Sequence, residues 1–124
     1  MRESDKDPVR LEHIINAIDK LLNADSVKSF DEINEKDLEY FGIVKLLEII
    51  GEAAYKLTNE FKETHIQTPW KYIVGMRHIL VHGYYQINRK SVINTIRQDL
   101  PILRIQILKY LSEYDQPDDN FRNH

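Results

Sequence analysis

The sequence predicts an all-α protein, an antiparallel bundle of four to five helices. Three observations carry this. Apolar residues recur at three- and four-residue spacing along four separate stretches. No stretch alternates as a half-buried strand does, and no Asn-Gly or Asp-Gly hairpin signal occurs. The breaks between stretches are short and hold proline, glycine or capping residues.

The first stripe is Leu11, Ile14, Ile15, Ile18, Leu21 and Leu22, with Asp7 as the expected N-cap and Pro8 at the first helical position. Ser26 to Ile33 is polar and reads as a connector or short helix. A second helical pattern runs from about Asn34 to Phe61 through Tyr40, Val44, Leu47, Ile50, Ala54 and Leu57. Ile43, Leu46 and Ile49 exceed that stripe. A second buried face, hence a homodimer, is favoured over a wide core face. A third helix is expected from Thr68 as N-cap, through Trp70, Ile73, Met76 and Leu80, to a stop at Gly83. The last starts near Asn88 and presents Ile93, Ile96, Leu100, Leu103, Ile107 and Tyr110 as a seam. Pro101 lies inside it and should kink it, at about 3 kcal/mol if uncompensated.

A chain of 124 residues suits one domain, placed at 1–115, with a flexible tail at 116–124. The hydrophobic share of 42% supports a packed core rather than disorder. With no cysteine, disulfides, thiolate nucleophiles and Cys-ligated metals are excluded. The charged start "MRESDKDPVR" does not read as a signal peptide, and no apolar run reaches the roughly 20 residues of a membrane span. The expected location is the cytoplasm.

Net charge is −3 but unevenly spread. Residues 1–70 hold 9 Lys/Arg against 15 Asp/Glu, whereas residues 71–109 hold 7 against 1. The basic segment suggests an anionic partner such as RNA, a nucleotide or an acidic protein, unless the fold interleaves the charges.

Inside that segment lies "MRHILVHGYY", Met76 to Tyr85, which carries more polar chemistry than a core helix needs. Three uses remain open. His78 and His82 share a helix face at i, i+4, as in a zinc helix, but no nearby third ligand is evident. Arg77 and His82 could cleave a phosphodiester, the fork of guanidinium donors holding phosphate oxygens while the imidazole moves a proton. They stand about 140° apart on an ideal helix, so convergence needs a distorted helix end or a second chain. A third use is modification of an exposed tyrosine, Tyr84 or its neighbour Tyr85.

The segments "LLEIIGEAAYKLTNEF", "TPWKYIVGMRHILVHGYY" and "TIRQDLPILRIQI" together resemble HEPN-domain proteins of the HepT-like toxin branch, from Arg10 to about Leu111. The most specific element is Arg-x4-His-x-Tyr, met by Arg77, His82 and Tyr84. The resemblance implies a dimeric helical bundle and an endoribonuclease that needs no metal or other cofactor. In it, Arg77 and His82 of both protomers would line one cleft. It further implies a type VII toxin–antitoxin pair. An MNT-type nucleotidyltransferase antitoxin would silence the toxin by AMPylation of Tyr84. His78 stands where the family often has Asn and is a supporting residue. Glu52, in "IGEAA", either orients cleft residues or is an exposed helix carboxylate. The alternative reading is a non-catalytic HEPN module that binds a nucleotide or the nucleotidyltransferase partner.

Overall fold

The structure, a computed structural model, describes residues 2–34, 36–78 and 89–114. Within them the chain is helical, with no strand. Helix α1 spans Asp7–Asn23, α2 Asp25–Lys28, α3 Leu38–Lys56, α4 Asn59–Thr64, α5 Trp70–Gly75, α6 Arg89–Asn94 and α7 Leu100–Tyr114. Short 3₁₀ segments lie at Glu3–Lys6, Phe30–Glu32 and Met76–His78.

The predicted stripes form one core. Leu11, Ile14, Ile18 and Leu21 of α1 meet Tyr40, Val44, Leu47 and Ile50 of α3 and Leu100, Leu103, Ile107 and Tyr110 of α7, all buried. Ionic and hydrogen-bonded pairs fix the directions. Asp7 at the start of α1 bonds Thr58 just beyond the end of α3, so these two helices run antiparallel. Arg104 near the start of α7 pairs at 2.7 Å with Asp19 near the end of α1, so α7 also opposes α1. Ile43 is buried in this core and Leu46 packs against it, which leaves Ile49 as the exposed member of the expected second face. The excess apolar residues of α3 therefore serve mainly to widen the core.

Several element ends differ from the sequence expectation. Asp7 does not cap its own helix: it is the first residue of α1, and Lys6 is the N-cap. Its buried carboxylate instead accepts from the Thr58 N–H at 3.0 Å and hydroxyl at 2.7 Å. Thr58 in turn accepts from Phe61 N and caps α4. The pattern from Asn34 to Phe61 is thus two helices. It starts at Leu38, because Asp37 takes the cap position and its carboxylate accepts from Asn34 N, and it breaks at Leu57–Thr58. Lys62 reaches back to the carbonyls of Ala54 and Tyr55, 3.3 Å each, the C-terminal end of α3 where a cation is favoured. Burial lowers the Lys62 pKa, with the Asp7 charge opposing.

Pro101 produces no isolated break. A π-helical turn, Thr95–Asp99, links α6 to α7 just before it. Proline cannot donate to the carbonyl of Arg97 and would crowd it in an α-turn; the wider turn around Arg97 absorbs both demands. The seam expected on this segment is buried throughout. The expected tail, 116–124, lies outside the described residues.

Replacing Asp7 by Ala leaves the partly buried Thr58 N–H without its acceptor. The expected loss is about 1–3 kcal/mol of unfolding free energy, read by urea denaturation. Unchanged stability would mean that the Asp7–Thr58 link contributes nothing.

Candidate functional site

Helix α5 is six residues long and cannot hold its place by its own hydrogen bonds. It is fixed from outside at three points. At its start, Trp70 packs with Phe61 and Tyr110, and its indole N–H donates to His65 O at 2.9 Å. Thr68, expected as the N-cap, has another task. Its buried hydroxyl donates to Gln106 Oε1 at 2.7 Å and meets the Tyr110 hydroxyl at 2.7 Å, while Pro69 holds the cap position. Midway, the Tyr72 hydroxyl donates to Asp99 at 2.6 Å. Burial and that carboxylate raise its pKa, so the phenol stays protonated.

The third point is Gly51. A Cβ built there would lie 2.2 Å from Arg77 N and 2.8 Å from the Met76 carbonyl carbon. The backbone of α3 therefore touches the backbone that carries Arg77, and no side chain fits between them. α-Helical geometry ends at Gly75, and Met76–His78 tightens into a 3₁₀ turn. The expected continuous helix to Gly83 is thus already modified at Arg77; Leu80 and Gly83 lie outside the described residues.

Arg77 projects along the outer face of α3. Its guanidinium carbon lies 3.6 Å from the centroid of the Tyr55 ring. Glu52 Oε1 stands 3.6 Å from Nη1, close enough to pair charges and too far for a hydrogen bond. Among the described residues Nε is buried with no hydrogen-bond partner, although the side chain as a whole is 27% exposed. Arg77 and His78 line a surface hollow of about 470 Å³ with Lys45, Glu48, Ile49 and Glu52. Lys45 pairs with Glu48 at 2.8 Å across the same helix face.

Among the expected site residues, Arg77 and His78 are brought to one hollow. His82, Tyr84 and Tyr85 lie outside the described residues. The i, i+4 metal reading of His78 and His82 falls on that gap; among the described residues no group of three His, Cys, Asp or Glu side chains could hold a metal ion. Glu52 faces Arg77 rather than standing apart as a helix carboxylate. Gly51 and Tyr55 were missed. Their signal was present: a glycine inside a long apolar helix often marks close backbone approach, and Tyr55 shares its face at i+4.

The basic segment is only partly a surface feature. Arg89 donates to Phe30 O and lies over the rings of Phe30 and Tyr40. Arg97 donates to Val27 O, and Arg104 pairs with Asp19. These three are spent on the first half of the chain. Arg77 instead borders the hollow.

The helical bundle thus sets a stacked, partly exposed arginine beside a hollow of mixed charge. Comparison with known sequences makes this specific. The chain belongs to the family described as Ribonuclease HepT-like, whose profile matches residues 11–110. A protein named as a candidate RNase in Caldanaerobacter subterraneus subsp. tengcongensis is 36% identical over 103 residues, covering 83% of this chain and 92% of its own length. A protein of Thermococcus cleftensis named "Probable ribonuclease HepT" is 32% identical, covering 84% and 93%. A Methanocaldococcus jannaschii protein, named as a gamma-glutamylcyclotransferase and candidate RNase, is 30% identical over 93% of this chain but only 52% of itself. No solved structure matches the chain. Among the described residues no helix is long and apolar enough to cross a membrane.

Two glycines of α3 give a paired test of the close approach. Gly51→Ala should destabilise the fold by about 1–3 kcal/mol, since its Cβ must displace backbone. Gly42→Ala, where a Cβ meets nothing within 4 Å, should stabilise it by up to about 1 kcal/mol. Thermal melts of the two variants should move in opposite directions.

Proposed function

We propose that this chain is the toxin of a type VII toxin–antitoxin pair, an endoribonuclease that works without metal. The observation that carries it is Arg77, held at the edge of a hollow with its Nε unpartnered among the described residues, within a family described as ribonuclease. In the proposed reaction an RNA 2′-hydroxyl attacks its own phosphorus. His82 takes the hydroxyl proton, the bond to the 5′-oxygen breaks as the imidazolium returns a proton to it, and a 2′,3′-cyclic phosphate forms. Arg77 holds the negative charge that gathers on the phosphoryl oxygens. His78, on the rim of the same hollow, supports the site.

The active form in this reading is a homodimer with both copies of Arg77 and His82 in one cleft. What supports it is the family resemblance together with Ile49, which stays exposed on the outer side of α3. There a second hollow, bordered by His13, Asn16, Lys20 and Leu46, meets the first at Ile49. Sedimentation at micromolar concentration should give about twice 14.8 kDa.

His82→Ala should slow cleavage by roughly 10²- to 10⁴-fold, the usual contribution of a positioned acid–base group. Arg77→Ala should be similarly damaging, and Arg77→Lys should recover only part, because a point charge does not copy the guanidinium fork. Cleavage should survive EDTA. A double variant that cuts RNA at the wild-type rate would end the assignment.

Regulation in this reading is by an MNT-type nucleotidyltransferase. The Tyr84 hydroxyl attacks the α-phosphorus of ATP, pyrophosphate leaves, the phenolic proton is lost, and a phosphodiester-linked AMP remains. Its negative charge can pair with the guanidinium that the substrate needs. Coexpression with the partner should add AMP mass to the peptide holding Tyr84, and Tyr84→Phe should prevent it. An adduct mapped to Tyr85 would move the assignment by one residue.

A further inference from the structure

Arg77 is held in an unusual manner for a buried-stem arginine. A guanidinium has five N–H donors in a rigid fork. Here, among the described residues, no hydrogen bond fixes them: Nε is buried and unpartnered, and the Glu52 carboxylate is 3.6 Å from Nη1. What touches the plane of the group is the Tyr55 ring, 3.6 Å from its carbon. Tyr55 lies one helical turn beyond Gly51 on α3, and Gly51 presses against the Arg77 backbone. The same helix thus fixes the main chain of Arg77 at one turn and its side-chain plane at the next.

We propose that Tyr55 is a positioning residue: its ring holds the Arg77 guanidinium flat through cation–π contact and leaves the Nη edges free to bind phosphate oxygens. This rests on the ribonuclease reading of Arg77 and extends it to a residue outside the Arg-x4-His-x-Tyr motif. A stacked arginine suits this task better than a hydrogen-bonded one. Hydrogen bonds from the protein would consume the donors that the substrate needs, whereas the ring face restrains orientation and consumes none. The contact needs the ring and not the hydroxyl, and half the tyrosine remains exposed to solvent.

The experiment compares Tyr55→Phe and Tyr55→Leu in the full chain. Single-turnover cleavage of an RNA oligonucleotide should stay within about 2-fold of wild type for Phe and fall by about 3- to 30-fold for Leu, the range a cation–π contact supports. A second readout does not depend on activity. The buried Arg77 Nε–H should show a ring-current shift in ¹⁵N-resolved NMR spectra, assigned by its loss in Arg77→Lys. The shift should persist in Tyr55→Phe and vanish in Tyr55→Leu while the remaining amide spectrum stays in place. Equal loss of rate in Phe and Leu, or a wild-type Nε–H without the ring-current shift, overturns the proposal. A wild-type protein that carries the shift yet cuts no RNA counts against the ribonuclease reading and leaves the hold of Tyr55 on Arg77 supported.

Discussion

The contact between Gly51 and the Met76–Arg77 backbone sets the distance on which the site depends. Two helices usually meet through side chains, at 8–10 Å between axes. Here main chain meets main chain, and a β-carbon at Gly51 would sit 2.2 Å from the Arg77 nitrogen, far inside van der Waals contact. The 3₁₀ turn is thereby seated directly on α3. The side chains flanking Gly51 on the outer side of α3, Glu52 and Tyr55, come within reach of whatever residue 77 carries. A long, always-charged side chain at that point lies across the tyrosine ring; a shorter one would not reach it.

The anchoring of α5 shows why so short a helix can serve as a precise support. Its stability comes from the packing of Trp70, the Tyr72–Asp99 bond and the Gly51 contact rather than from helix propensity. Asp99 is the only acid of residues 71–109, and among the described residues it accepts from Tyr72 rather than pairing with a cation. That hydrogen bond holds the carboxylate against Tyr72 of α5, while Arg77 looks toward α3. The basic balance of the segment is therefore partly consumed inside the fold by Arg89, Arg97 and Arg104, and only partly displayed. Segment charge in sequence was a fair pointer to Arg77 and a poor measure of surface potential.

Periodicity made most of the core legible, because burial of one helix face is a strong, repeated constraint. Every stripe residue from Leu11 to Leu22 and from Ile93 to Tyr110 that was expected inside is buried, except Leu22, which is partly buried against the core. Helix ends were less legible, because capping groups can act at a distance along the chain. Asp7 and Thr68 have the residue types of N-caps, yet each bonds an element far away in sequence, Thr58 in one case and Gln106 with Tyr110 in the other. The π-turn before Pro101 was invisible for a similar reason: sequence shows that proline demands relief, not where the relief is taken. In the site, the motif pointed to Arg77, but the glycine that seats it and the ring beside it belong to another helix; the sequence marks them only weakly, and tertiary contact ties them to Arg77.

The Glu52–Arg77 pair is the remaining element of the site, and its geometry decides its part. At 3.6 Å, with Glu52 almost half exposed, the carboxylate sits in well-hydrated surroundings. Exposed pairs of this kind contribute about 0–1 kcal/mol, because solvent screens the attraction and side-chain entropy opposes it. A phosphodiester that offers two oxygens to the fork forms shorter, charge-assisted hydrogen bonds worth roughly twice a neutral one. For the proposed chemistry, displacement of Glu52 is therefore a small cost against a larger gain, and the carboxylate keeps the free arginine oriented without locking it. Tyr55 need not move in that exchange, since stacking uses the face of the guanidinium and phosphate uses its edge. Carboxylate and ring thus divide the work: one supplies a replaceable counter-charge, the other a permanent plane.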